Sequence, residues 1–381
     1  LAGVGLRRNP KRVHLIVSRV LAKHLPVSGS VAVAAARSLA DEVLHAWDGP
    51  MPDNVLVLGF AETACGLAGL VADALPGTVL TQTTRDVGDA PGIWLQSEEA
   101  HSHAPSHFLL RGVHDALSAG PEVVLVDDEL STGETVWRVI SQVNRAFPNR
   151  RYVIACLIDA RPDSDRERLR RRSEMAGVDV RVASLLDVRL SFAEDAPAKV
   201  ARFLAEPSMR ADQARSLSPQ RVRPLPLSPA IMPDARIGAG FADRVRAGEV
   251  LDRQLDTLAR NQTGAKILVI GVEEAIYPAV RVAVALGADV QSTTRSPAVV
   301  IDRQDYPLRS GVTFPSEYSP DIPAFLYNGP ATAGEPAYDQ TVVMLPDTHR
   351  PQSRVARAEL LAAAGSCCTG TVWTWDLRRS R

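Results

Sequence analysis

The stretch VVLVDDELSTGET, residues 123–135, decides the fold of this chain. Its first four residues are apolar and β-branched or aliphatic, which predicts a strand buried on both faces, as in a parallel sheet. The strand ends in two carboxylates, Asp127 and Asp128. A loop of small and hydroxyl-bearing residues, Ser131–Thr135, follows, and the apolar stretch Val136–Phe147 predicts a helix.

This order of strand, acidic pair, loop and helix indicates a ligand site. Open α/β sheets bind ligands at the carboxyl ends of their strands. A loop of small residues that leads into a helix offers backbone N–H groups and a positive dipole end to a phosphate. Two carboxylates beside that phosphate suit ribose hydroxyls or Mg²⁺, which prefers oxygen ligands. The stretch therefore predicts a site for a phosphorylated sugar.

The same stretch resembles, at every position, the motif that binds 5-phosphoribosyl 1-pyrophosphate (PRPP) in type I phosphoribosyltransferases, whose fold is a Rossmann-like parallel sheet. The resemblance implies that Asp127 and Asp128 contact the ribose hydroxyls and hold Mg²⁺ through water or through those hydroxyls. The residues implied to wrap the 5-phosphate are Ser131, Thr132, Gly133, Glu134 and Thr135. Glu129 is a candidate base near C1 of the ribose, and a plain surface role suits it equally well.

Length and composition bound the remaining possibilities. A chain of 381 residues suits two domains. A formal net charge of −1 and a pI near 6.8 argue against bulk nucleic-acid binding. Neither a membrane-spanning run nor a secretory signal is found, so we expect no membrane association and a cytoplasmic location. The four cysteines lack metal-ligand spacing, which predicts reduced thiols.

A second unit of strand, loop and helix precedes the first. Val55–Leu58 predicts another buried strand, and the loop that begins at Gly59 leads into a helix of small residues. In type I phosphoribosyltransferases the corresponding loop holds the pyrophosphate, so the resemblance makes Gly59, Glu62 and Thr63 candidates for that contact. The loop lacks a lysine, which leaves the pyrophosphate to backbone amides, Thr63 or a basic residue from elsewhere.

Two further segments lie between these units. Thr83-Thr84-Arg85 follows a short predicted strand, and its hydroxyls and guanidinium suit a phosphate. We predict that Arg85, or the histidine-containing segment that follows, acts on the leaving pyrophosphate. The polar segment Gln96–His107 reads as a solvated loop, but by resemblance it occupies the position of the mobile hood that closes over the reacting centre.

The histidines of this segment allow two interpretations. His101 and His103 are candidates to act on the incoming nitrogen base. Alternatively, together with Glu98 and His107, they bind a metal, because the spacing H-x-H-x₃-H is suggestive of a metal site without being diagnostic.

The domain organisation follows from composition and from a weak internal repeat. A stretch rich in proline, serine and arginine predicts a linker over 206–235, between a phosphoribosyltransferase domain at 1–205 and a second domain at 236–381. Three features of the first domain recur in the second. The strand Val55–Gly59 corresponds to Ile267–Gly271, and the acid Glu62 corresponds to Glu274. The tripeptide Thr83-Thr84-Arg85 corresponds to Thr293-Thr294-Arg295.

We therefore predict that the second domain is a related α/β unit. Its run Thr341–Leu345 takes the place of the sugar-binding strand but continues into Pro346, without an acidic pair or an STGET loop. A second PRPP site is not expected there.

The tetrapeptide Thr294-Arg295-Ser296-Pro297 carries a further resemblance. A type I phosphoribosyltransferase followed by a domain with T-R-S-P resembles the fused TRSP-domain proteins of bacterial tellurite-resistance, stress-response operons. The resemblance implies PRPP-dependent joining of a nitrogenous base to ribose 5-phosphate with release of pyrophosphate, or the reverse, in the metabolism of a nucleotide-like compound. It also implies a homodimer and partners encoded in the same operon.

Two alternatives of other classes remain at this point. One is a protein that senses PRPP or a nucleotide without chemistry, although no helix-turn-helix signature is seen. The other is an interaction protein whose TRSP half binds operon-encoded partners. The sequence names neither the acceptor base nor the direction of the reaction.

Overall fold

A computed structural model of the chain describes residues 1–7, 12–85, 87, 92–98, 106–148, 151–205, 222–261, 264–329, 337–346 and 353–380. The elements of the first half are β1 (Ala2–Leu6), β2 (His14–Ser18), β3 (Val27–Ser28), α1 (Gly29–Trp47), β4 (Val55–Gly59), α2 (Ala64–Ala74), β5 (Val79–Gln82), β6 (Ile93–Glu98), β7 (Ser106–Leu110), α3 (Arg111–Ser118), β8 (Glu122–Leu130), α4 (Glu134–Ala146), β9 (Arg151–Asp159), α5 (Asp163–Ala176), β10 (Asp179–Asp187) and α6 (Ala196–Ala205). Those of the second half are β11 (Val222–Pro224), β12 (Ala230–Pro233), α7 (Phe241–Asn261), β13 (Ile267–Gly271), α8 (Ile276–Leu286), β14 (Asp289–Ser292), β15 (Gly311–Pro315), β16 (Pro323–Tyr327), β17 (Gln340–Leu345), α9 (Ser353–Gly365) and β18 (Val372–Ser380).

The chain forms two compact units that are not contiguous in sequence. The N-terminal unit consists chiefly of Val33–Ser191 together with Met232–Ala247. The C-terminal unit consists of Leu1–Ala32, Phe192–Ile231 and Gly248–Arg378. Each unit therefore includes a segment from the other half of the sequence. The domain boundaries proposed from composition stay predictions.

The N-terminal unit is built on a five-stranded parallel sheet of order β10-β9-β8-β4-β5. Every residue of β4 is buried, as are Val123–Val126 of β8, which confirms the strands predicted from uninterrupted apolar runs. Helix α4 packs its apolar stripe, Val136, Val139, Ile140 and Val143, into the core under the sheet. This arrangement confirms the parallel α/β fold.

The outer strand of this sheet is covered by a segment from the second half of the sequence. Leu80 of β5 exchanges two backbone hydrogen bonds with Ala239, of 2.9 and 2.8 Å. The buried guanidinium of Arg244 donates to the Ala239 carbonyl at 2.7 Å. Gly112 of α3 lies so close to Ile237 that a Cβ there would come within 2.4 Å of the Ile237 carbonyl oxygen. Backbone groups that an open edge would expose are thus paired.

The C-terminal unit repeats this plan. Its main sheet has the order β11-β18-β17-β13-β14-β3, and strands β18, β17, β13 and β14 are parallel to one another. The outer strand β14 is covered by an N-terminal segment, because Val27 and Ser28 pair antiparallel with Val290 and Asp289. The equivalent order β9-β8-β4-β5 in the N-terminal unit confirms that the second domain is a related α/β fold.

Each unit also has an antiparallel hairpin inserted after the tripeptide Thr-Thr-Arg. In the N-terminal unit β6 pairs with β7, and a backbone bridge joins Thr84 to Phe108. In the C-terminal unit β15 pairs with β16, and the same bridge joins Thr294 to Phe325. The ends of the segment expected to be a solvated loop are therefore strands, and His107 is buried rather than solvated.

The C-terminal part of the predicted linker also differs from expectation. Strands β11 and β12 both pair with β18 and lie at the edge of the C-terminal sheet. The prolines Pro224 and Pro233 stand at the last position of each strand, where a missing N–H interrupts no central ladder. Proline density therefore did not exclude sheet pairing here.

Two negative expectations concern the described residues. Within these ranges, helices of the length and apolarity needed for a membrane span are absent. All four cysteines are free and buried. Burial, followed by the charges of Asp159 and Asp127, holds the pKa of Cys156 well above its usual value, so this thiol stays neutral.

Candidate active site

Strand register brings three loops together at one edge of the N-terminal sheet. Gly59, the last residue of β4, lies opposite Val126 of β8 on one side and Gln82 of β5 on the other. The next residue along each strand is Phe60, Asp127 or Thr83. Neighbouring strands are about 4.8 Å apart, so the acidic pair, the 59–63 loop and the Thr-Thr-Arg tripeptide begin side by side.

The acidic pair sits where β8 leaves the core. Asp127, Asp128 and Glu129 are half-buried, between the buried Val126 and the buried Leu130. Side chains alternate along a strand, so Asp127 and Glu129 share one face and Asp128 takes the other. The Asp127 carboxylate accepts the N–H of Asp128 at 2.9 Å. The three carboxylate residues thus lie at the carboxyl end of β8.

The loop after β8 is shaped to bring backbone amides to the same edge. Gly133 has φ +78°, a left-handed conformation that glycine adopts without penalty. Helix α4 starts immediately afterwards, and Trp137 donates its N–H to the Gly133 carbonyl at 3.0 Å. The Thr132 hydroxyl accepts the N–H of Glu134 at 3.3 Å, while Ser131 and Thr135 are half-buried. The N-terminus of α4 thus faces the site, where it favours an anion.

The side chain of Glu134 points toward another helix. Its carboxylate accepts hydrogen bonds from Arg172, at 2.8 and 2.9 Å, and from Arg168, at 3.1 Å, both in α5. The hydrogen bond from Arg172, helped by Arg168, lowers the pKa of Glu134 against the opposing effect of burial. Glu134 is one of the residues predicted to wrap the 5-phosphate. Its backbone lies at the N-terminus of α4, whereas its carboxylate turns away and links α4 to α5.

Sequence reasoning missed a buried ion pair behind this loop. Asp159, at the end of β9, binds Arg161 through two side-chain hydrogen bonds of 2.9 and 2.7 Å, and both side chains are almost fully buried. Burial opposes ionisation of Asp159, but Arg161 and then Arg166 lower its pKa overall. The Arg161 Cδ lies 3.5 Å from the point where a Cβ on Gly133 would stand. The pair therefore packs against the loop at Gly133. Its only sequence signal is the acid that ends the strand RYVIACLID and the arginine two residues later.

The 59–63 loop is fixed by close packing and by one hydroxyl. A Cβ on Gly59 would lie 2.5 Å from the Ala68 Cβ, so glycine is required for α2 to approach the strand. Thr83 Oγ1 accepts the Ala61 N–H at 2.8 Å. Glu62 and Thr63 are buried, and no side chain caps the N-terminus of α2 after Thr63. The loop therefore presents a second helix N-terminus to the same edge of the sheet.

Arg85 and the Thr-Thr-Arg tripeptide are held by a residue of the hairpin. His107 Nε2 lies 3.2 Å from Arg85 Nη2, and His107 Nδ1 lies 3.0 Å from Thr83 Oγ1. Because one nitrogen faces a guanidinium and the other a hydroxyl, His107 does not fit the predicted metal alternative. Within the described ranges, groups of three or more histidine, cysteine or acidic residues with metal-binding geometry are absent. His101 and His103 lie outside the described residues, as does the side chain of Glu98.

The equivalent edge of the C-terminal sheet has the same frame and different chemistry. Thr293 Oγ1 accepts the N–H of Glu273 at 3.0 Å, which repeats the contact between Thr83 and Ala61. Arg295, the arginine of T-R-S-P, donates its Nε–H to the Glu273 carboxylate at 2.6 Å, and both side chains are at least 95% buried. This edge joins an arginine to a carboxylate of its own chain.

The fold and the site define the class: the N-terminal unit has the type I phosphoribosyltransferase fold. Two family models then identify the chain more closely. Residues 1–189 match PRTase_2, described as phosphoribosyl transferase, and residues 234–364 match TRSP, described as the TRSP domain C-terminal to PRTase_2. The protein is a phosphoribosyltransferase, an enzyme of the pentosyltransferase class, that carries a TRSP domain.

Several solved structures are similar to part of the chain. Adenine phosphoribosyltransferase from Giardia lamblia is 21% identical over 49% of this chain and 94% of its own, with a TM-score of 0.34. The Trypanosoma brucei adenine enzyme is 18% identical over 42% and 64%, with a TM-score of 0.31. A Staphylococcus aureus hypoxanthine phosphoribosyltransferase is 11% identical over 45% and 80%, with a TM-score of 0.25. Among curated proteins, none matches this sequence.

Proposed function

We propose that the protein transfers the 5-phosphoribosyl group of PRPP to a ring nitrogen of a nitrogenous base and releases pyrophosphate, or catalyses the reverse reaction. The observation that carries this proposal is the register that sets Gly59 between Val126 and Gln82. It lines up an acidic pair, an amide-rich loop and an arginine, which are the three groups that a ribose bearing a phosphate and a pyrophosphate requires.

The sugar end of the substrate fits the end of β8. Asp127 and Asp128 accept hydrogen bonds from the ribose 2- and 3-hydroxyls, because ionised carboxylates are strong acceptors for such donors. The 5-phosphate is held by the amides at the start of α4 and by the hydroxyls of Ser131, Thr132 and Thr135. Gly133 lets the backbone turn around this phosphate.

The pyrophosphate fits the neighbouring strand ends. The loop from Gly59 to Thr63 and the N-terminus of α2 supply amides, and the absence of a lysine in the loop gives the cationic role to Arg85. Charge grows on the pyrophosphate as it leaves C1, so donors aimed at it stabilise the transition state more than the ground state.

Mg²⁺ suits the donor set of this site. The end of β8 offers carboxylate oxygens from Asp127 and Asp128, and Mg²⁺ prefers oxygen ligands and keeps waters and substrate phosphates in its shell. Asp127 and Asp128 would hold the ion through water or the ribose hydroxyls. When bound, Mg²⁺ neutralises charge on the pyrophosphate.

The chemical step needs little from the protein beyond positioning. Departure of pyrophosphate leaves positive character at C1, and the negative field of Asp127 and Glu129 on one face of β8 stabilises it. Glu129 is also a base within this edge for a proton released from the attacking ring nitrogen. Orientation of two bound reactants accounts for a large share of the rate enhancement in such reactions.

The first test is binding. PRPP with Mg²⁺ is titrated calorimetrically into the full-length wild type and into the double variant Asp127→Asn/Asp128→Asn. Loss of two charge-assisted acceptors is expected to weaken binding on the order of 100-fold. The matched control is Asp302→Asn/Asp305→Asn, two carboxylates that pair with surface arginines in the other unit.

The outcomes separate the hypotheses. Binding that only the first double variant abolishes supports the sugar-phosphate site and leads to a screen of bases for pyrophosphate release. No binding by folded wild type with Mg²⁺ present would refute the proposal. Binding of PRPP with no pyrophosphate release for any base would favour the sensing alternative. The homodimer, the operon partners, the stress-linked pathway and the cytoplasmic location stay predictions.

A further inference from the structure

His107 belongs to strand β7 of the β6–β7 hairpin and is buried against the 59–63 loop. It is 2% exposed, and its ring meets the edge of Phe60 with 5.8 Å between centroids. The next residue, Phe108, is bridged to Thr84 by two backbone hydrogen bonds of 2.9 Å. His107 therefore belongs to the hairpin, yet its ring points into the strand ends that form the proposed site.

The two ring contacts determine which nitrogen carries the hydrogen. The Arg85 guanidinium only donates, so His107 Nε2 must accept at 3.2 Å. In a neutral ring the hydrogen then sits on Nδ1 and is donated to Thr83 Oγ1 at 3.0 Å. Thr83 Oγ1 has two lone pairs, and the second accepts the Ala61 N–H. The ring therefore joins Arg85 to the 59–63 loop through one hydroxyl.

The C-terminal unit serves as an internal comparison. Phe325 makes the bridge to Thr294 that Phe108 makes to Thr84, so Ala324 stands where His107 does. Ala324 offers no ring nitrogen, and Arg295 turns instead to the carboxylate of Glu273. The two units hold the arginine of the same tripeptide in different ways. A carboxylate cancels the positive charge that it orients, whereas the contact with a neutral imidazole adds no opposing charge.

We propose that His107 is a positioning residue, which aims Arg85 at the pyrophosphate and anchors the 59–63 loop through Thr83. This role rests on the proposed phosphoribosyl transfer. It also connects the hairpin to the site: a hairpin movement that shifts His107 shifts both Arg85 and the Ala61 anchor. Neither contact was predicted from the sequence, where His107 was a candidate metal ligand.

The test uses isosteric half-replacements in the full-length chain. In His107→Gln the side-chain amide reaches the position of Nε2, so its oxygen still accepts from Arg85 while the Thr83 contact is lost. In His107→Asn the amide reaches the position of Nδ1, so its nitrogen still donates to Thr83 while the Arg85 contact is lost. His107→Ala removes both contacts, and His45→Ala, at an exposed position near the end of α1, is the control.

Two measurements are made on every variant. Calorimetry gives the Kd of inorganic pyrophosphate with Mg²⁺ and of PRPP with Mg²⁺, and hydrogen exchange reports the order of the peptide that covers 59–64. His107→Ala is expected to weaken pyrophosphate binding about 10- to 100-fold and to speed loop exchange. His107→Gln should restore most of the pyrophosphate affinity but keep the fast hydrogen exchange of the 59–64 peptide. His107→Asn should keep the weak pyrophosphate binding but restore slow exchange of that peptide. Ring packing alone would affect both readouts together.

Two results would refute the positioning role of His107. If His107→Ala matches His45→Ala in both affinity and exchange, the positioning role is wrong. A nitrogen-15 spectrum that shows the hydrogen on Nε2 at neutral pH would also overturn it. If the wild type binds neither pyrophosphate nor PRPP, the proposed function fails, and the tautomer and the loop exchange then decide the role of His107 on their own.

Discussion

The ion pair between Glu273 and Arg295 provides the sharpest stability prediction. Glu273→Gln keeps the size of the side chain and removes its charge. The carboxylate accepts the Arg295 Nε–H at 2.6 Å and the Ser316 hydroxyl at 2.6 Å, and the side chain is 2% exposed. Because the Arg295 side chain is only 5% exposed, its charge cannot be transferred to water without local opening. The substitution should therefore destabilise the C-terminal unit.

The expected magnitude follows from burial. Removing one partner of a buried ion pair typically costs about 3–5 kcal/mol. For a unit of this size that cost corresponds to a fall in Tm of about 6–20 °C. The matched control is Asp305→Asn, which breaks a pair with Arg303 of 2.7 Å in which both side chains are about two-thirds exposed. Such an exposed pair is screened by solvent and contributes little to stability.

The assay must separate the two units, because a two-unit chain need not unfold in one step. Urea unfolding is followed by hydrogen exchange in peptides from β13 and β17, with peptides from β4 and β8 as the internal reference. Glu273→Gln should lower the midpoint of the first set more than that of the second. If it costs no more than Asp305→Asn, the buried pair does not hold the T-R-S-P turn, and the reasoning from burial is refuted.

Two further predictions concern the N-terminal unit. Gly133 and Gly177 have φ +78° and +64°, so replacing either with alanine should cost about 1 kcal/mol of stability, measured by thermal unfolding. Only Gly133→Ala should also weaken PRPP binding, measured by calorimetry. Arg161 lowers the pKa of Asp159, so that stabilisation is fully present above the ordinary aspartate pKa near 4 and is lost as pH falls through the lower folded value. Urea midpoints measured between pH 5 and 2 should therefore fall more steeply for wild type than for Asp159→Asn, and parallel curves would contradict the assignment.

Much of the fold was predictable because its central strands are uninterrupted apolar runs. Three such runs are too short for helices and are buried on both faces: Val55–Leu58, Val123–Val126 and Ile267–Ile270. They have no alternation of apolar and polar residues to read, so the prediction of strands depends on their composition and on the loops that flank them. Since such strands belong to parallel sheets, their carboxyl ends had to meet at one edge. The candidate site at 127–135 was predicted from the residues that follow the strand Val123–Val126.

The covering of the sheet edges was not predictable in this way. Val27–Ser28 is a two-residue strand, and the backbone pairing of Ala239 with Leu80 involves a segment rich in glycine and isolated apolar residues. Neither segment has a hydrophobic period. Their pairing is fixed by backbone groups of an outer strand that require partners, which is a property of the folded sheet rather than of local sequence.

The residues behind the site were missed for a related reason. Asp159, Arg161 and His107 contact other side chains far away in sequence, and spacing along the chain does not report such contacts. A signal was present for His107, because the apolar residues Phe108, Leu109 and Leu110 follow it and indicate a strand. In the sequence His107 also groups with the histidines of a polar segment, a pattern that suggests a metal site.

The two units show how one frame serves different ends. In both units a threonine hydroxyl fixes a loop: Thr83 fixes the loop after β4, and Thr293 fixes the loop after β13. An arginine follows each threonine two residues later. In the C-terminal unit the buried carboxylate of Glu273 binds that arginine, so the positive charge of Arg295 is already neutralised and is not available to a pyrophosphate. The sequence after β17 has no acidic pair, and this fact and the internal ion pair both argue against a pyrophosphate site at this edge. The two units share a strand order but differ in the chemistry of this edge, so function has to be argued from the edge and not from the sheet.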